Sequence, residues 1–137
     1  MNRKEILQKL TLEEKVALLS GTDFMYTNPV PRLDIPAVSM SDGPHGLRKQ
    51  KGDSQDNGVS ESEPATSFPT AATTASSWNP ENVYKMGKAI AVECANHDVD
   101  ILLGPGVNIK RSPLCGRNFE YFSEDPYVTK ELAVPFI

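Results

Sequence analysis

Residue types that carry much enzyme chemistry are scarce here: two histidines, two cysteines and one tryptophan in 137 residues. His45 stands between Pro44 and Gly46, and its only companion, His97, lies on a helical stretch. Two isolated histidines do not make a metal site, so no metal is expected. The Gly-Pro-Gly at 104–106 lacks the Lys-Ser/Thr ending of a phosphate loop, and no cofactor is expected. No apolar run approaches the roughly 18 residues that cross a bilayer, so no membrane partner is expected. The N-terminus MNRKEILQKLTLEEK is too acidic and too poor in apolar residues for a signal peptide. Cys94 and Cys115 without an export signal predict reduced thiols and a cytoplasmic setting. Basic residues are not in surplus: the net charge is −4, which offers no face to nucleic acid. Many short strands are also missing, which counts against a β-sandwich sugar-binding module.

What is present is loop chemistry between a few periodic segments. Eleven prolines and nine glycines signal long connections. Ile6, Leu7 and Leu10 lie at helical spacing over residues 2–9. Thr11-Leu12-Glu13-Glu14 is a capping box that opens a second helix, with Leu12, Val16 and Leu19 as its apolar stripe and Gly21 as its stop. Residues 22–36 read as irregular, because Pro29, Pro31 and Pro36 forbid regular pairing over most of the stretch. Ala37 to Ser41 reads as a short strand, ended by Asp42-Gly43-Pro44.

Residues 49–64, KQKGDSQDNGVSESEP, are polar without periodicity and are assigned no structure. They read as a surface insertion, or as a cover over a site mouth. Asn79-Pro80-Glu81 starts a helix running to about 97, with Val83, Met86, Ile90 and Cys94 on one side. Trp78, just before that cap, reads as core. Val99 to Leu103 is the next strand, apolar on both faces, as a parallel strand covered by helices is. Pro126 opens a last helix, in which Pro135 sits awkwardly.

Gly104 to Pro126, GPGVNIKRSPLCGRNFEYFSEDP, is the stretch around which the chain is organised. It exceeds the roughly 12–15 residues beyond which a loop in a compact domain is usually functional or disordered, and its aromatics argue against disorder. Strand, helix, buried strand implies a right-handed βαβ unit in a parallel sheet. The residues alone give an α/β fold, with barrel and doubly wound sheet equally open.

That stretch resembles the signature of glycoside hydrolase family 3, the β-glucosidase type. LTLEEKVALLSG (10–21), PVPRLDIPAVSMSDGPHGLR (29–48) and ATSFPTAATTASSWNPE (65–81) agree in order and spacing. Position 67 is Ser where many relatives carry Cys. The resemblance implies part of a (β/α)8 TIM barrel: roughly the first two βα units after N-terminal helices, in an incomplete domain over residues 1–137. A complete barrel takes about 250 residues.

The resemblance further implies retaining hydrolysis of terminal non-reducing β-D-glucosyl or xylosyl residues, with a β-glucoside or oligosaccharide as substrate. Such enzymes use two carboxylates about 5–5.5 Å apart. Neither family motif occurs here. Nucleophile and acid/base are expected beyond Ile137, in a C-terminal part that would be a necessary partner. The alternative is an inactive truncated fragment with weak sugar binding at most.

Under the resemblance, the substrate-binding residues are Asp42, Arg117 and Arg48. An ionised carboxylate can accept two sugar hydroxyl protons at once. The bland reading of Asp42 is a turn residue before glycine. Arg117 offers a fixed fork of donors to hydroxyls, or to Glu120 or Glu124 as a structural ion pair. Arg48 lines the same pocket or makes a simple ion pair. His45 is expected to pack or to hydrogen-bond within its turn. Asp125 is expected to cap the helix after it.

Overall fold

The computed structural model describes residues 2–51 and 61–137. The described chain is α/β, with two short parallel strands, five α-helices and two 3-10 turns. Strand β1 (Met40–Asp42) pairs in parallel with β2 (Ile101–Leu103), with Asp42 opposite Leu103. No helix of the described residues is long and apolar enough to cross a membrane.

Helices α1 (Arg3–Lys9) and α2 (Leu12–Ala17) open on capping boxes, Asn2 with Glu5 and Thr11 with Glu14. Each box satisfies two otherwise unpaired helix-end donors. Below them Leu10, Val30 and Leu33 form a small core. The expected stripe of α2 is not core: Leu12, Val16 and Leu19 are exposed, Leu19 to 89%. Arg32 instead reaches back from the 3-10 turn Pro31–Leu33 to pair with Glu14, fixing the helix by its polar side.

The first strand lies later than its expected span of 37–41. The Thr27 amide bonds the Val38 carbonyl at 3.0 Å and the Met40 amide bonds the Met25 carbonyl at 2.8 Å, so this stretch first pairs backward. Parallel pairing then carries Asp42 inside the strand. Ser39 locks the junction. Its amide and hydroxyl both donate to the Asp100 carboxylate, at 2.8 and 2.9 Å. These donors hold the Asp100 carboxyl below its ordinary value.

Helix α3 (Ala71–Ser76) was not expected, and Trp78 is not core. Trp78 is 75% exposed, at φ +51° in the left-handed turn between α3 and α4, which leaves its ring outside. Helix α4 (Pro80–Asn96) matches its expected span, with the Asn79 side chain accepting from the amides of Glu81 and Asn82. Its Met86, Ile90 and Cys94 are buried with Leu47 and Val99, and Val83 with Ala71, Ala75, Phe122, Leu132 and Ala133. Phe136 of α5 (Pro126–Phe136) packs against both groups. The contact is close: a Cβ at Gly87 of α4 would lie 2.2 Å from the Phe136 carbonyl oxygen. Ile101 and Leu103 are exposed among the described residues, so the described helices do not cover β2 on both faces.

Residues 52–60 of the polar excursion lie outside the described residues. Its two arms, expected to be without structure, are paired. Lys51 donates to the Glu61 carbonyl at 2.8 Å and Glu63 to the Lys49 carbonyl at 2.7 Å. Main-chain pairing of this kind needs no apolar periodicity.

Ile90 is 1% exposed. Ile90→Ala should destabilise by about 2–5 kcal/mol, whereas Leu19→Ala should stay within about 0.5 kcal/mol. Chemical denaturation of both variants checks this. A large loss at Leu19 would mean that the α2 stripe is covered in solution.

Candidate functional site

The parallel register brings the ends of β1 and β2 together, so the turn after Asp42 and the loop after Leu103 leave from the same edge. Their backbones touch: a Cβ at Gly104 would meet the Pro44 Cα at 3.0 Å. The turn itself is tight. Gly43 has φ +123°, and a Cβ there would lie 1.7 Å from the Gly46 carbonyl oxygen, so only glycine fits. Asp42 Oδ1 accepts from the Gly43 amide at 3.0 Å. The carboxylate is otherwise open to solvent and can accept further donors.

The chain returns from the turn beside Asp42, where the Arg48 amide donates to the Asp42 carbonyl at 3.1 Å. Asp42 and Arg48 thus line one cavity of about 290 Å³, with Tyr26, Ser41, Gln50 and Glu63 among its walls. Arg117 is not among the lining residues of that cavity.

Arg117 is organised by its own loop. Its Nε and Nη2 both donate to the Glu120 carboxylate, the second at 3.0 Å, across the 3-10 turn Asn118–Glu120. The ion pair expected as one reading of Arg117 is therefore present, with Glu120 as the partner. The guanidinium side chain is 70% exposed and the Glu120 side chain only 15%, so the acid is fixed and the base projects. The guanidinium carbon lies 5.9 Å from the Tyr121 ring centre. The Glu120 hydrogen bond and charge raise the Arg117 pKa, and the Asp42 charge adds to them. The Arg117 hydrogen bond in turn lowers the Glu120 carboxyl, against burial. Asp125 caps α5 by accepting from the Tyr127 amide at 2.8 Å, as expected.

His45 makes bonds that its sequence context only hints at. Its carbonyl accepts from the Phe68 amide at 2.7 Å, and its Nε2 accepts from the Ala71 amide at 2.9 Å. Cys94 is buried and Cys115 exposed, both as free thiols. Among the described residues, no group of three or more His, Cys, Asp or Glu could hold a metal ion.

Two loops at the C-terminal ends of paired parallel strands thus carry a carboxylate and arginines, groups that can accept from and donate to a polar ligand. Comparison with known proteins gives the family. Residues 25–137 match the Glycosyl hydrolase family 3 N terminal domain, and the chain belongs to that family.

It is 58% identical over 134 residues to the thermostable β-glucosidase B of Acetivibrio thermocellus, covering 98% of this chain and 18% of the relative. It is 49% identical over 132 residues to an exo-α-(1→6)-L-arabinopyranosidase of Bifidobacterium longum, covering 96% of this chain and 17% of that protein. The structure of β-glucosidase 3B from Thermotoga neapolitana in complex with α-D-glucose superposes with a TM-score of 0.82 at 42% identity, over 98% of this chain and 20% of that one. The chain thus spans about a fifth of the length of these relatives.

The Arg117–Glu120 pair should contribute stability only while Glu120 is ionised. Its folded-state value is depressed, so the contribution is complete above the ordinary carboxyl value of 4.5 and fades as pH falls through the lower folded one. Glu120→Gln should therefore lower the melting temperature at pH 7. The deficit should be modest, because Arg117 is largely in water. It should shrink progressively as pH falls below 4.5. Melting curves across pH 3–7 test this, and a pH-independent deficit would assign the loss to packing.

Proposed function

We propose that these residues are the sugar-gripping part of a retaining glycoside hydrolase acting on terminal non-reducing β-D-glucosyl or xylosyl residues. In this reading β1 and β2 are the first two strands of a (β/α)8 barrel. The observation that carries it is the placement of Asp42 and Arg48 on one cavity, with Arg117 projecting from the neighbouring loop at the same strand ends. Family membership and a relative solved with glucose support it.

The chemistry follows from the groups. Asp42, with one oxygen steadied by the Gly43 amide, accepts protons from sugar hydroxyls. Arg117, held by Glu120, donates to hydroxyl oxygens from a fixed fork. As the sugar ring flattens towards an oxocarbenium ion, hydroxyl bonds that tighten stabilise the transition state more than the ground state. Arg48 completes the wall next to Asp42. No carboxylate pair in residues 1–137 is assigned to nucleophile and acid/base. Those roles are assigned to the remaining four-fifths of the relatives' length, and the 137 residues alone should not hydrolyse an aryl β-glucoside. The arabinopyranosidase relative makes the choice among pyranosyl groups a matter for assay. The two free thiols favour a cytoplasmic setting.

The test is Asp42→Asn and Arg117→Ala in a polypeptide of the relatives' full length, assayed on aryl β-D-glucoside, β-D-xyloside and α-L-arabinopyranoside. A charged hydrogen bond is worth about 1.5–3 kcal/mol, so kcat/KM should fall roughly ten- to 150-fold with the fold intact. Asp42→Asn with full turnover on every substrate would remove Asp42 from the sugar site.

A further inference from the structure

His45 joins three segments that meet behind the site. It belongs to the turn that follows Asp42. Its carbonyl holds Phe68, and its Nε2 holds the amide of Ala71, the first residue of α3, at 2.9 Å. Its ring also lies against Phe119, with centres 6.1 Å apart and planes tilted by 55°, one residue from Glu120 and two from Arg117. The turn has no slack to take up a change. A Cβ at Gly46 would lie 2.2 Å from the Thr66 carbonyl oxygen, and Gly43 already meets Gly46.

The bond to Ala71 dictates the state of the ring. A main-chain N–H only donates, so Nε2 must be bare and the proton of the neutral ring must sit on Nδ1. Adding a second proton would set N–H against N–H. Of the bonds around this turn, this is the one that protonation reverses.

We propose that His45 is a positioning residue whose neutral imidazole clamps the Asp42 turn to α3 and to the Arg117 loop, and that protonating Nε2 opens the clamp and slackens the grip on sugar. The link to sugar rests on the function proposed above; the clamp itself rests on the geometry alone. The charged neighbours do not cancel the effect. Burial lowers the imidazole's affinity for a proton, and Glu120 only partly offsets it while itself committed to Arg117. Residues 66–71 carry no titratable side chain, and Asp42 lies at the other end of the turn. The depressed folded-state value means the clamp's stabilisation is complete above pH 6.5 and is lost as pH falls towards the lower folded value.

The decisive variant is His45→Gln, which can keep an acceptor oxygen towards Ala71 but cannot titrate. Without sugar, NMR of 15N-histidine and of the Ala71 amide between pH 4.5 and 8 should show the Nδ1–H tautomer and an Ala71 amide that moves with the imidazole. In His45→Gln that amide should become insensitive to pH. An Ala71 amide that ignores the imidazole titration, or an Nε2–H tautomer, overturns the clamp.

With glucose as ligand, affinity in the full-length enzyme should weaken about three- to tenfold from pH 7.5 to the acid side of the titration, the range one hydrogen bond supports. In His45→Gln the ratio should fall close to one. The same acid loss in His45→Gln overturns the coupling to sugar. Glucose binding that is absent at every pH, with the NMR coupling intact, overturns the sugar-site reading and leaves the clamp standing.

Discussion

Three residues of parallel pairing, Met40–Asp42 against Ile101–Leu103, set the point from which both site loops depart. A slip of one residue in this ladder would turn every side chain to the opposite face. Ser39 and Asp100 prevent the slip. The Asp100 carboxylate accepts from the Ser39 amide, the Asp100 amide donates to the Ser39 hydroxyl, and that hydroxyl's one proton is shared between the Asp100 carboxylate and the Asp98 carbonyl. With the ladder pinned at its N-terminal foot, Asp42 and Gly104 emerge side by side at the other end. The positions of Arg48 and Arg117 follow from that.

The site's electrostatics have one direction. Glu120 is tucked in and Arg117 projects, so the acid orients the base rather than competing with a ligand for it. Asp42 is bound by the amide of its own neighbour, which leaves its charge available to Arg117 and to solvent. An exposed carboxylate can only accept hydrogen bonds and a guanidinium can only donate them, so the two groups offer opposite halves of hydrogen bonding at one end of the strands.

Much of this was legible in the residues. Asn79-Pro80-Glu81 and the spacing of Val83, Met86, Ile90 and Cys94 located α4, because caps and periodicity are local signals. The Thr11 box and the Asp125 cap were readable for the same reason. Helix α3 was not: its sequence, AATTAS, has no apolar stripe, and it is held by packing of Ala71 and Ala75 on α4 and α5. Trp78 was misjudged because its place just before a helix cap suggested core, while a left-handed backbone decided otherwise. The lock between Ser39 and Asp100 spans 61 residues, and no local pattern announces it. The Ala71 bond of His45 is hidden in the same way, although the Pro-His-Gly context marked a constrained turn.

Helix α5 crosses α4 where Gly87 lets the Phe136 carbonyl approach, and Phe136 touches both main groups of buried side chains. Any side chain at position 87 would act as a wedge at the one place where the two groups share a wall. The damage would therefore not stay local. It would push α5 away from Ala71 and Ala75, the buried residues of α3 that pack with Leu132 and Ala133. Position 87 therefore sets the course of α5: even a methyl group there would meet the Phe136 carbonyl at 2.2 Å and force the helix onto a new path.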